Sequence, residues 1–269
     1  VIVGIPSVLG WLWVSFYYER PELVVLLLAI VAGAAAWEYA QLLRRMGLAV
    51  HPPAFVGVSV LLVVLTGFLG ASQALGILGI AVLAILAHAV VRSRGTAAEG
   101  FRAASGEVLG LLYIPFLLQF FYELFREERG FALLVGLLVL VWAYDTGAFL
   151  VGSRWGRHKL APRLSPGKTW EGVLGGLFLA FLAALGVVGL GGMVPEPSRG
   201  AVLGHALGLS LVMSAAAQLG DLFESLLKRA AGVKDSGGLL PGHGGMLDRI
   251  DALLFALPVY TLYARYLLP

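Results

Sequence analysis

Residues 220–251 read GDLFESLLKRAAGVKDSGGLLPGHGGMLDRID. This is a polar island. Asp221, Glu224, Asp235, Asp248 and Asp251 share it with Lys228, Arg229, Lys234, Arg249, His243 and a run of glycines. Residues 201–219 and 252–264 on either side are largely apolar. The island reads as a reaction centre at a membrane surface, and most of the remaining chain reads as its scaffold.

Working outward, the 269 residues are 59% hydrophobic and 13% charged, with a mean hydropathy of +0.89. A soluble domain carries roughly 25% charged residues. Apolar runs recur from end to end, so the chain reads as polytopic in a membrane. The 36 glycines suit close helix packing in lipid. Cysteine is absent, which excludes disulfides, thiolate metal sites and a cysteine nucleophile. Residues 1–18 lack a basic leading region and a small-residue cleavage site. They read as a first membrane helix rather than a cleaved signal.

A span needs about 20 mostly apolar residues. Nine candidates follow: 1–18, 22–43, 54–70, 74–91, 107–125, 131–151, 171–190, 201–219 and 251–268. The expected fold class is all-α, a polytopic integral membrane protein of about nine transmembrane helices. Residues 1–130 form an N-terminal scaffold of membrane helices, with room for the contacts of a homodimer. Residues 131–269 form the catalytic region, with loops 152–170 and 220–250. Orientation follows from Lys and Arg. Arg44, Arg45, Arg92, Arg94, Arg102, Arg154, Arg157, Lys159, Arg163, Lys168, Lys228, Arg229, Lys234 and Arg249 fall in the loops after spans two, four, six and eight. The alternate loops hold only Arg20, Arg126, Arg129 and Arg199. The positive-inside rule then puts the N-terminus and residues 221–250 in the cytoplasm and the C-terminus outside.

Some polar residues in or beside spans have ordinary readings. Glu38 and Gln41 suit interhelical hydrogen bonds or the cytoplasmic end of span two. His88 reads as packed or interfacial. Glu107 reads as opening span five, where a carboxylate suits a helix N-terminus. The Trp and Tyr residues of 11–18 read as an aromatic belt.

Asp145 is different. It lies inside an apolar run ahead of a basic loop, where a bare carboxylate is costly, so it calls for a cation or a metal. The loop that follows ends in Ser165-Pro-Gly167-Lys168-Thr169. Pro162 stands where a P-loop needs its first glycine, and the preceding element is a membrane helix, so a P-loop is excluded. Several cations and a helix N-terminus near Thr169 still favour an anion. In the island, Asp221, Ser225 and Lys228 fall at i, i+4 and i+7, one face of a helix. The glycines around His243 permit close backbone approach to a ligand. Asp248 and Asp251 open the last span, and Asp251 is the expected helix cap. Carboxylates from separate helices beside Lys and Arg suggest a divalent cation on polyphosphate oxygens, the habit of Mg²⁺. That pattern points to phosphoryl or nucleotidyl transfer.

Ser225-Leu-Leu-Lys228-Arg229, then Lys234-Asp235, then Pro241-Gly-His243-Gly244-Gly245-Met-Leu-Asp248-Arg249-Ile-Asp251 resembles the signature of the phosphatidate cytidylyltransferases, also called CDP-diacylglycerol synthases. Asp145-Thr-Gly-Ala and Ser165-Pro-Gly-Lys168-Thr169-Trp-Glu171-Gly resemble the same family, so the likeness covers 145–251. Gly167 stands where many relatives carry a second basic residue, and Phe149 where a Tyr is expected.

The resemblance implies that CTP and phosphatidic acid give CDP-diacylglycerol and pyrophosphate in phospholipid biosynthesis, with Mg²⁺ and room for a second cation. It implies metal binding by Asp221, Asp248 and Asp251, and catalytic work by Asp221, Asp248, Lys228, Lys168 and Asp145. It implies substrate contacts from Ser225, Arg229, Lys234, Asp235, His243, Gly244, Gly245, Arg249, Ser165 and Thr169. The expected setting is the cytoplasmic or inner membrane, with the site facing the cytoplasm at a junction of spans six, eight and nine, membrane lipids as neighbours and no nucleic-acid partner. The alternatives are a related CTP-dependent lipid kinase or transferase, and an ion-coupled transporter. A transporter would set its charges near the bilayer midplane, whereas here most gather at one surface.

Overall fold

The structure, a computed structural model, describes residues 4–92, 96–190, 198–238 and 244–267. Its helices in chain order are α1 (Gly4–Tyr17), α2 (Pro21–Arg45), α3 (Pro52–Leu69), α4 (Ala71–Arg92), α5 (Ala97–Leu111), α6 (Leu117–Arg126), α7 (Gly130–Trp155), α8 (Trp170–Leu190), α9 (Arg199–Ala230) and α10 (Leu247–Tyr266). A π-helical turn, Leu112–Phe116, joins α5 to α6 and contains Pro115. Proline has no N–H to give, and the wider turn absorbs it without ending the run.

The helical class holds, with one addition. The basic loop carries an antiparallel hairpin of β1 (Lys159–Ala161) and β2 (Ser165–Thr169), with Lys159 opposite Thr169 and Ala161 opposite Ser165. Among the described residues, seven helical runs are long and apolar enough to cross a membrane: α2, α3, α4, the continuous run Ala97–Arg126, α7, α8 and α9. The chain is thus a multi-pass membrane protein by length and composition. Helix α1 covers 14 of the described residues, and α10 carries Asp248, Arg249, Asp251 and Arg265.

Three boundaries differ from the sequence expectation. Helix α5 starts ten residues before Glu107, at a capping box: Glu99 N donates to Thr96 Oγ1 and Thr96 N to Glu99 Oε2, both at 3.3 Å. Glu107 therefore sits within a helix rather than at its start. Helix α9 runs on to Ala230, 32 residues or about 48 Å at 1.5 Å per residue, longer than the ~30 Å hydrocarbon core. Helix α10 starts at Leu247, so Asp251 lies in its second turn and does not cap it.

The chain divides into two compact units, Val1–Glu123 with Leu227–Arg249, and Leu124–Leu226 with Ile250–Pro269. In the first, Tyr39 of α2 is fully buried, stacks on Phe55 and donates its hydroxyl to Gly106 O at 2.9 Å. In the second, α7 and α8 pack closely through glycines. A Cβ on Gly176 would meet Tyr144 Cε2 at 2.6 Å and Tyr144 O at 2.8 Å. Small residues at such seams let helices approach where lipid supplies no hydrophobic drive.

Candidate active site

The second unit gathers one polar cluster. Asp145 projects from α7, Lys168 from β2 and Asp221 from α9. Lys168 Nζ lies 2.7 Å from Asp221 Oδ2, and Asp145 is close enough for its charge to act on both. Ser225, one turn after Asp221, donates to Asp221 Oδ1 at 3.4 Å. The helical register predicted for 221 and 225 is therefore present. Tyr144 donates to Gln218 Oε1 at 2.7 Å, tying α7 to α9 beside Asp145.

Local chemistry places Lys168. Thr169 is the N-cap of α8, its Oγ1 accepting from Gly172 N at 3.1 Å. Two residues into α8, Glu171 accepts from Arg157 N at 3.1 Å and from His158 N at 3.2 Å, and pairs with His158 Nδ1 at 2.5 Å. The hairpin is thus tied to the start of α8 at both ends, and Lys168 lies on the tied strand. Thr169 is buried and its hydroxyl serves the cap. Ser165 is half-buried at the head of β2.

The first unit gathers the other cluster. Lys228 Nζ lies 2.6 Å from Asp248 Oδ1, with side-chain exposures of 14% and 16%. Asp248 Oδ2 accepts from Gly245 N at 2.8 Å, Ser236 Oγ at 2.8 Å and Ser236 N at 3.1 Å. Behind the serine stands Glu38 of α2, buried at 2% exposure. It accepts from Met246 N at 2.9 Å and Leu247 N at 2.8 Å, and lies 3.0 Å from Ser236 Oγ, whose single proton it shares with Asp248.

The chain reaches this cluster through a helix stop. Gly232 has φ +69°, Gly232 N donates to Arg229 O at 3.1 Å and Val233 N to Lys228 O at 2.9 Å. This is the Schellman arrangement, whose left-handed residue favours glycine. Arg229 adds a bond to Val233 O at 3.2 Å.

The other expected residues are placed as follows. Lys234, Asp235 and Arg249 are exposed. Gly244 has φ +76°, and a Cβ there would sit 3.1 Å from Asp248 Oδ2. At Gly245 that space is filled by Ser236 and Glu38. Asp251 is buried, and its Oδ1 accepts from Ala252 N at 2.7 Å. His243 lies outside the described residues. Glu38, Glu171, Ser236 and Gln218 were not among the expected site residues. A carboxylate within a membrane span was the available signal for Glu38.

Among the described residues, no three Asp, Glu or His groups come together as a metal cage. Each cluster instead presents a carboxylate oxygen already holding a lysine ammonium. These hard oxygen donors suit Mg²⁺, which takes one or two carboxylates and completes its shell with substrate phosphates and water.

Comparison with known proteins agrees with the likeness read from the motifs. A profile of the cytidylyltransferase family matches residues 1–267. The chain is similar to a Haemophilus influenzae protein, 44% identical over 52% of this chain and 48% of the relative. It is similar to a Staphylococcus aureus protein, 40% identical over 60% of this chain and 59% of the relative. These two alignments thus span about half to three-fifths of the relatives' lengths. A Pseudomonas aeruginosa protein is 35% identical over 97% of this chain and 93% of its own length. All three are named phosphatidate cytidylyltransferase. With matches that run almost from end to end over a chain carrying both lysine–aspartate clusters, this protein belongs to the cytidylyltransferase family.

Proposed function

We propose that the chain transfers the cytidylyl group of CTP to phosphatidic acid. A phosphate oxygen of the lipid attacks the α-phosphorus of CTP. The bond from that phosphorus to the bridging oxygen of the β-phosphate breaks, and pyrophosphate leaves with the electron pair. The products are CDP-diacylglycerol and pyrophosphate. The attacking oxygen is already anionic, so positioning and charge neutralisation carry the rate rather than a strong base.

The observation that carries this reading is the pair of lysine–aspartate contacts, Lys168 with Asp221 and Lys228 with Asp248. In each, an ammonium waits on a carboxylate and can turn to a phosphate oxygen when one arrives. Asp221 and Asp248, with Asp145 and Asp251 as further candidates, would hold Mg²⁺, which supplies charge neutralisation on the phosphates when bound. The same reading allows a second cation. Lys168, Lys228, Arg229, Lys234 and Arg249 neutralise the triphosphate and the lipid phosphate. Ser225, Asp235, His243, Gly244, Gly245, Ser165 and Thr169 complete the proposed substrate contacts. The same reading has nine spans, the N-terminus and site at the cytoplasmic face, the C-terminus outside, and a homodimer as its assembly.

The test is turnover. Purified protein in detergent, given Mg²⁺, CTP labelled at the α-phosphate and phosphatidic acid, should move the label into lipid and release pyrophosphate one for one. Label transferred to no lipid, with CTP instead phosphorylating a lipid alcohol and leaving CDP, would replace this reading with a lipid kinase.

A further inference from the structure

We infer that Glu38 is a positioning residue, which anchors Ser236, Met246 and Leu247 and so holds Asp248 and Lys228 in their working geometry. The inference rests on the cytidylyl-transfer reading for what that geometry serves. Glu38 lies on α2, about two hundred residues from the groups it binds.

Three facts support it. First, a carboxylate at 2% exposure is costly unless hydrogen bonds replace its water. Both oxygens of Glu38 are so engaged, Oε1 by Met246 N and Oε2 by Leu247 N and Ser236 Oγ. Second, Leu247 opens α10, and the leading N–H groups of a helix have no acceptor within it. Glu38 supplies one from another helix, where a negative charge also suits the helix dipole. Third, Gly237 and Gly245 have no room for a side chain because Glu38 fills it. A Cβ on Gly237 would lie 2.5 Å from Glu38 Oε1, and one on Gly245 would lie 2.7 Å from Glu38 Cδ.

The consequence runs to Asp248. Its Oδ2 accepts from Ser236 and Gly245, both set against Glu38. Ser236 Oγ stands between the two carboxylates, at 3.0 Å from Glu38 and 2.8 Å from Asp248. Glu38 thus acts on the reaction through the frame that aims Asp248 and its partner Lys228.

The experiment uses a loop reporter and turnover together. The chain has no cysteine, and a Cβ at Gly238 meets nothing within 4 Å. A nitroxide on Gly238→Cys therefore reports loop motion in the full-length protein. In that background Glu38→Gln keeps the shape but turns one acceptor into a donor, and Glu38→Met keeps approximate volume with no strong acceptor. The expected result is a faster-moving label in both, with kcat falling on the order of 100-fold for Met and less for Gln, the size of losing a positioned charge. Melting in detergent identifies the folded variants. A folded Met variant with the parent's label spectrum and kcat overturns the inference, because a packing role alone is met by an apolar residue of that size. So does a loss of kcat with an unchanged spectrum. If both variants fail to fold, Ser236→Ala removes one donor alone, and loosening of its label supports the anchor while an unchanged spectrum overturns it. If the parent itself makes no CDP-diacylglycerol, the reaction reading fails, and the spectra alone decide whether Glu38 anchors Ser236, Met246 and Leu247.

Discussion

At the level of single residues, the two lysine–aspartate pairs differ in burial, and that difference separates stability from activity. Lys168 and Asp221 keep side-chain exposures of 20% and 38%, so solvent screens their attraction. A pair of that kind contributes about 0–1 kcal/mol to folding. Lys168→Ala should leave the melting temperature nearly unchanged and raise the KM for CTP or phosphatidic acid about tenfold or more. Asp248 is more enclosed and accepts hydrogen bonds from Lys228, Ser236 and Gly245. Asp248→Asn places an NH₂ among those donors, at a cost of about 1–3 kcal/mol for a buried group left badly paired. It should lower the melting temperature as well as abolish turnover. Paired melting and steady-state measurements on the two variants check the contrast. A Lys168→Ala protein that melts early but turns over normally would reverse the assignment.

Among the elements, the seam between α7 and α8 has little tolerance. Asp145 rides on α7 next to Tyr144, and Tyr144 presses on Gly176 of α8. A methyl at Gly176 must move the Tyr144 ring and backbone, and the displacement passes to Asp145. Gly176→Ala should therefore destabilise the protein by about 1–3 kcal/mol, the usual cost of overpacking, and cut turnover. Gly186, further along α8, has nothing within 4 Å of an added Cβ, so Gly186→Ala should melt and turn over like the parent. Equal behaviour of the two variants would show that the seam yields. The hairpin is the other element that matters. Its role is to present Lys168 from a strand pinned by Glu171 and by the Thr169 cap, which a free basic loop would not do.

For the whole molecule, the decisive property is orientation. The Lys and Arg residues of alternate loops predict opposite sides for the hairpin and for the turn between α6 and α7. Gly167 is exposed and open, and Glu128 is exposed, so each can carry a single cysteine in a chain that has none. A membrane-impermeant maleimide should label Gly167→Cys only when the cytoplasmic face is accessible, and Glu128→Cys only from the other side. Labelling of both from one side would overturn the topology and with it the cytosolic source of CTP.

Much of this was legible in the chain itself. Apolar length announces a membrane helix because lipid demands that every backbone group be satisfied within the segment, so the helical runs could be read off in order. The spacing of Asp221 and Ser225 was legible for the same reason, since both lie on one helix. What lay beyond reading were the contacts between elements distant in sequence. Glu38 read as an interhelical hydrogen-bonding residue or a helix end, and only the placement of Ser236, Met246 and Leu247 against α2 made it an anchor. Gly245 looked like space left for a ligand, and much of that space belongs to Ser236 and Glu38. Asp251 looked like a cap until the start of α10 was set by an acceptor from another helix. Local periodicity and charge bias act through neighbouring residues and can be read directly. A buried carboxylate finds its donors in three dimensions, and its role is decided only when the tertiary fold brings them to it.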